Sequence, residues 1–359
     1  MPSIDQARQV LIRAIDARLF PAAAVEVGSS AGVSWRDALG TLTFDADATA
    51  ALATTLFDLA SLTKVIATTT LVMELVRKGS VQLDEPVASS FPEWRGADRE
   101  SVTLQDLLEH ASGLPARLLD AAPQSRRELE HDISVMPLAY APRTRSLYSD
   151  LDFILLGMLA ADRAGRSIAD EFAAFRNGFV AHEGELSAES LTFIRAGGPK
   201  PPAAPTSPLD GDRRHGRLLA AEVHDEYAAA LGGVAGHAGL FGTAAAVGSF
   251  ARVVLRAARG ERGMPPPMSP ELVVRFVTKS RVPGSSRALG WDTMLPTSSC
   301  GTRMTPAAFG HVGFTGTSVW IDPERDRYFV LLTNRACNGG TLGEMRDVRR
   351  AFHDALAET

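Results

Sequence analysis

Cysteine is nearly absent from this chain of 359 residues: only Cys300 and Cys337 occur. A disulfide framework is thereby excluded, and two isolated thiols cannot build a zinc site. Lysine is almost as scarce, at Lys64, Lys78, Lys200 and Lys279. No stretch reaches the ~18 uncharged apolar residues that a membrane helix requires. A basic excess is missing too. The 42 acidic residues against 37 basic ones leave a net charge of −5, which offers no general attraction to phosphate backbones, so nucleic acid is not an expected partner. The first residues lack the basic start and apolar core of a secretion signal. With Met1 taken as the natural start, a cytoplasmic protein without membrane attachment is expected. There is no internal repeat. What remains is ordinary globular composition, 45% hydrophobic and 22% charged. The length fits two or three domains, or one large domain carrying an insertion.

The periodicities give an order of elements. Ile4, Ala7, Leu11, Ala14 and Ile15 fall on one helical stripe over residues 4–18. Two alternating apolar runs, 22–28 and 33–43, flank Ser29-Ser30-Ala31-Gly32 and read as a β-hairpin. From Asp58 to about residue 195 the pattern is largely helical, with strongly apolar helices over 61–78 and 151–163 and a short one over 103–110 capped by Thr103. Residues 197–211 carry five prolines and three glycines and read as a surface loop. Strands return over 313–321 and 328–333, and a last helix spans 342–357. This order predicts an α/β (α+β) fold. An antiparallel sheet built from both chain ends, residues 1–56 plus 235–359, is flanked by the N- and C-terminal helices. A large, mostly helical domain, 57–234, is inserted, with a cleft between the two. Loops 117–147 and 180–217 are expected to shape that cleft.

Three groups of residues carry chemistry. In Ser61-Leu62-Thr63-Lys64 the serine and lysine sit at i and i+3, side by side on a helix. The helix N-terminus favours a developing alkoxide, and Leu62, Val65 and Ile66 are expected to desolvate the amine and lower its pKa. In Tyr148-Ser149-Asp150, a tyrosine beside a lysine can act as general base or proton relay. In Gly310-His311-Val312-Gly313-Phe314-Thr315-Gly316-Thr317-Ser318, glycines let backbone approach a substrate, and an N–H of this stretch can pair with that of Ser61 as an oxyanion hole. By contrast, Gly28-Ser29-Ser30-Ala31-Gly32 matches a nucleophile elbow only formally, because a strand rather than a helix follows it.

Together, Ser61/Lys64, Tyr148/Asp150 and His311/Gly313 resemble, in this chain order, the serine hydrolases of the class C β-lactamase and penicillin-binding-protein type. Phe57-Asp58-Leu59-Ala60-Ser61, His110-Ala111-Ser112-Gly113-Leu114-Pro115 and Leu289-Gly290-Trp291 look like the same family. The resemblance implies an acyl-enzyme hydrolase that needs no metal or organic cofactor and acts on small esters, amides or D-amino-acid peptides. Ser61 would be the nucleophile and Lys64 and Tyr148 would manage its proton. The N–H groups of Ser61 and Phe314 would form the oxyanion hole. Asp150, His311, Gly313 and Arg335 would meet the substrate. Two departures, Asp150 for the usual asparagine and His311 for the lysine of true β-lactamases, lean the reading toward an esterase that disfavours anionic substrates. A D-alanyl-D-alanine carboxypeptidase or β-lactamase is the alternative, and a non-catalytic penicillin-binding sensor is a rival of another class. Glu222-Val223-His224-Asp225 and the glycine-rich 232–240 stretch look like a mark of penicillin-binding-protein relatives; His224 and His237 read as structural rather than metal-binding. Oligomeric state is open.

Overall fold

The computed structural model describes residues 2–118, 123, 125–183 and 187–356. Helix α1 (Pro2–Asp16) precedes the hairpin of β1 (Ala22–Ser29) and β2 (Gly32–Gly40). After β3 (Phe57–Asp58) come a wide helical stretch (Lys64–Thr69) continued by α2 (Thr70–Arg77), then α3 (Leu104–Leu108), α4 (Arg126–Val135), α5 (Asp150–Ala164), α6 (Ile168–Glu183) and β4 (Leu191–Phe193). The chain returns through α7 (Glu226–Ala230), β5 (Leu240–Gly242), α8 (Ala244–Ala258) and α9 (Pro270–Val277). It ends with β6 (Asp292–Thr293), β7 (Phe309–Val312), β8 (Ser318–Asp322), β9 (Arg327–Thr333) and α10 (Leu342–Leu356).

The main sheet has the order β2-β1-β9-β8-β7-β6 and is antiparallel throughout. Pairing of β1 with β9, Ala23 opposite Thr333, joins the two chain ends. Side chains alternate across the pleat. Ala23, Val25, Phe329 and Leu331 face one core with Leu11, Ala14 and Phe352 of α1 and α10, whereas Ala22, Ala24, Val330 and Leu332 face the other with Phe250 of α8. That second core continues without a break through Ile66, Leu71, Phe153 and Phe172 of the helical region. The sheet is thus covered on both faces, and its second face shares a core with the helix that follows Ser61. Among the described residues no helix is long and apolar enough to cross a membrane.

The fold matches the sequence reading in class and element order, with differences that have physical causes. Ser29–Gly32 makes the hairpin turn, so the elbow-like motif is indeed not one. Residues 309–312 form strand β7, which Gly310 and His311 concealed. Pairing with β8 overrides local propensity there, and Gly310 is needed because a Cβ would stand 2.4 Å from Trp320. The proline-rich 197–211 segment is not simply a surface loop. Ala203, Ala204 and Thr206 are buried, Ala203 bridges Leu56, and the Asn334 amide donates to the Pro205 carbonyl. Within the expected cleft loops, 119–122, 124 and 184–186 lie outside the described residues, as does Ala357 of the last helix.

Candidate active site

Strand β3 delivers the chain to a turn that presents Ser61. Ala60 takes a left-handed conformation at φ 47°, a strained state for a residue with a Cβ and one that clusters at functional sites. The turn is clamped by Asp58, whose carboxylate accepts from the Ala60 N–H at 2.8 Å and the His224 N–H at 2.7 Å. Burial pushes Asp58 up to about 6. Helical turns begin at Leu62, and the backbone widens to π geometry over Lys64–Thr69 before α2 proper. Such widened turns recur at functional sites. Ser61 caps nothing; its hydroxyl accepts from Lys64 Nζ at 3.0 Å.

All three Lys64 protons are engaged. Beside Ser61, the ammonium donates to Asp150 Oδ1 at 2.7 Å and to the His237 carbonyl at 3.3 Å. This overturns the expected charge state of the lysine. Burial does depress the ammonium, but attraction to Asp150 and Tyr148 outweighs it and holds Lys64 above the ordinary lysine value. The reason is an aspartate 86 residues away, not the apolar neighbours. Asp150 is therefore not a free negative charge facing substrate. Its Oδ2 accepts from Arg117 at 2.9 Å, and despite burial Lys64, His237 and Arg117 hold its carboxyl below the usual range.

Tyr148 lies in extended chain just before α5. Ser149 caps that helix, accepting from Leu151 N–H and donating to the Pro115 carbonyl. Lys64 Nζ stands 4.8 Å from the Tyr148 ring centroid and Arg287 Cζ 5.0 Å from it. The rings of His110 and His311 pack against it at 4.8 and 5.8 Å. Beneath lies a buried pair, His110 and Asp152, with His110 Nδ1 3.0 Å from Asp152 Oδ2 and 3.2 Å from the Ser149 nitrogen. Burial pushes Asp152 well above and His110 well below their ordinary values.

On the sheet side, His311 lies within β7. Its Nδ1–H donates to the Val312 carbonyl at 2.9 Å, which leaves the Nε2 lone pair without a partner among the described residues. Burial keeps this ring neutral, well below the usual histidine value. Gly313 carries no side chain because none fits: a Cβ would stand 2.6 Å from the Leu59 carbonyl. Thr315 and Thr317 hydroxyls donate to the Asp58 and Leu59 carbonyls, stitching β7–β8 to the Ser61 turn. Neither the Ser61 nor the Phe314 backbone N–H has an acceptor among the described residues. Arg335, expected to meet the substrate, donates from its guanidinium to the carbonyls of Phe314 and Gly340 and so holds the Phe314 turn.

Arg117 and Arg287 carry no signal in the sequence, and Asp225 and His237 stand in the stretches expected to be structural. Asp225 accepts from His237 at 2.7 Å and from Arg117 at 3.1 Å, and among the described residues no cluster is arranged to hold a metal. The glycine-rich stretch also has a reason. Gly236 lies flat against α5, where a Cβ would stand 2.0 Å from the Phe153 carbonyl, and its own carbonyl accepts from Thr68. Gly236→Ala is expected to cost about 1–3 kcal/mol or more by overpacking and to displace the neighbouring His237 carbonyl from Lys64. Thermal unfolding and ester turnover should fall together; an unchanged melting temperature contradicts this.

Comparison with known proteins adds to the geometry. The family model described as Beta-lactamase matches residues 11–353. A protein of Escherichia coli (strain K12), provisionally named a D-alanyl-D-alanine carboxypeptidase, is 30% identical over 312 residues, covering 78% of this chain and 69% of that one. Among solved structures, EstCE1, titled a hydrolase with promiscuous acyltransferase activity, superposes with a TM-score of 0.76 at 17% identity over 99% of this chain and 98% of that one. Simvastatin synthase (LovD) from Aspergillus terreus gives 0.73 at 17% identity over the same shares. At such identities the two structures speak for the fold.

Proposed function

The chain belongs to the β-lactamase family, and as a serine hydrolase of that family we propose that it works through an acyl-enzyme formed on Ser61. The observation that carries this is the Lys64 ammonium, fully tied and 3.0 Å from the Ser61 hydroxyl. Ser61 Oγ attacks a carbonyl carbon. The developing oxyanion is held by the N–H groups of Ser61 and Phe314. Lys64 stabilises the serine oxygen by its charge, and Tyr148 carries the proton from Ser61 toward the leaving group. Water then releases the acid. Small esters, amides and D-amino-acid peptides are the substrate classes. The esterase leaning rests on His311, a buried ring where true β-lactamases carry the permanent charge of a lysine.

One observation favours the second reading, a D-alanyl-D-alanine carboxypeptidase, as the E. coli relative is named. The supposed repulsion of anions by Asp150 is cancelled by Lys64 and Arg117. Arg287, meanwhile, stands over Tyr148 with its ion-pair partner Asp292 no nearer than 4.0 Å and no side-chain hydrogen bond among the described residues. A guanidinium so placed can receive a carboxylate in bidentate fashion. Arg287→Gln should lower kcat/KM for carboxylate-terminated peptides about 10–100-fold, the worth of a charge-assisted hydrogen bond, while neutral esters change little. Steady-state kinetics on p-nitrophenyl esters, a chromogenic cephalosporin and D-Ala-D-Ala peptides test both readings. Equal losses on all substrates would discard Arg287 as the anion receptor.

A further inference from the structure

The groups around Lys64 close into a ring. Lys64 donates to Asp150 Oδ1, Arg117 donates to Asp150 Oδ2 at 2.9 Å, and Arg117 donates again to Asp225 Oδ2 at 3.1 Å. Asp225 Oδ1 accepts from His237 Nε2 at 2.7 Å, and the backbone carbonyl of His237 accepts from Lys64. The members come from four separate segments: the wide helix after Ser61, the turn before residue 118, the start of α5 and the stretch around α7. Asp225 is fixed further, capping α7 through the Ala228 N–H at 2.9 Å. We propose that Arg117 and Asp225 are positioning residues of this hydrolase, holding Lys64 against Ser61 through the closed ring although neither contacts the serine. The inference rests on the reading of Ser61 and Lys64 as the reacting pair.

Both residues have the right chemistry for that duty. A single buried aspartate facing Lys64 would leave one carboxylate oxygen without a donor, a costly arrangement in a low-dielectric site. Arg117 supplies that donor with a rigid planar fork. It needs a second anion to fix its own plane, and Asp225 provides it. Glu226 adds a weaker contact at 3.4 Å, and the Tyr227 ring lies 4.3 Å under the guanidinium. Asp225 then sets the His237 ring, and with it the backbone carbonyl that takes the third Lys64 proton. Cutting the ring at either residue frees the ammonium to leave Ser61, and a displacement of about 1 Å at a reacting group can cost ~10²-fold in rate.

The scarcity of lysine makes the seat of Lys64 directly observable. With four lysines in the chain, the side-chain ammonium signals of the 15N-labelled protein can be assigned by substitution. An ammonium with three acceptors exchanges slowly with water. In Asp225→Asn and Arg117→Ala the Lys64 signal should exchange at least about tenfold faster, and kcat on a neutral p-nitrophenyl ester should fall ~10²-fold with KM nearly unchanged. Arg117→Lys and Asp225→Glu should restore part of both. Combining the two losses should cost less than their product, since they cut one ring. Melting temperatures of the variants separate this from unfolding; the half-exposed Arg117 is the variant expected to fold without difficulty. If Lys64 exchange is unchanged in both variants, the ring does not position it and the inference falls. If exchange quickens while turnover stays intact, the ring stands and the role assigned to Lys64 fails instead.

Discussion

Ser61→Ala is expected to abolish hydrolysis and covalent labelling by a fluorescent phosphonate while the protein still folds. The serine hydroxyl accepts a hydrogen bond from Lys64 and caps no helix. Its loss removes one acceptor at a half-buried position, worth about 1 kcal/mol. The helical turns that follow are held by Leu62, Val65 and Ile66, all wholly buried, and these are untouched. Rate is another matter, since among the described residues no other serine or threonine hydroxyl accepts from the Lys64 ammonium. Removal of a nucleophile leaves only what binding and the oxyanion site achieve by themselves. Turnover of a p-nitrophenyl ester, phosphonate labelling and the melting temperature, measured on one preparation, decide the matter. Labelling of the Ser61→Ala variant at the normal rate would place the nucleophile elsewhere.

Ser61 and Lys64 could be paired from sequence because a helix brings i and i+3 together, and Tyr148 joined them through the order of motifs along the chain. The sheet was legible for a similar reason, as the apolar runs 22–28 and 328–333 are local. The charge of Lys64 was not legible. Its sequence neighbours are apolar and argue for a depressed value, but Asp150 is brought in by the start of α5. The pairing of Arg117, Asp225 and His237 stays hidden for the same cause: the partners lie 33, 108 and 12 positions apart, and no local pattern ties such residues. The hold of Arg335 on the Phe314 and Gly340 carbonyls was equally out of reach, because Phe314 lies 21 positions away. β7 was missed because a glycine and a histidine carry no strand signal until Trp320 and Val319 pack and pair beside them.

Tyr148→Phe is expected to slow acylation by ~10²–10⁴, the usual worth of a positioned acid–base group. The ring itself survives the change, because Phe keeps the packing against His110, His311 and the Arg287 guanidinium. Only the phenolic oxygen goes, and with it the proton carrier between Ser61 and the leaving group. Lys64→Ala should slow acylation comparably, but it also takes the donor from Asp150 Oδ1 and leaves Arg117 as the partner of that carboxylate, and a buried acceptor left without its donor costs about 1–3 kcal/mol in stability. The cleaner variant is Lys64→Ala with Asp150→Asn, which removes both charges together. Tyr148→Phe added to it should lose much less than the product of the separate effects, because both serve one proton transfer. The pH profile discriminates further. Lys64 is held above the ordinary lysine value, so it stays protonated across the neutral range. The stability it lends is present below the unfolded value and is lost only as pH rises through the folded one. Wild-type kcat/KM should therefore show no acid limb from Lys64 between about pH 6 and 8. An acid limb in that window that disappears in the lysine variant would mean that Lys64 acts as a neutral base, and Tyr148 would lose its place as the proton carrier.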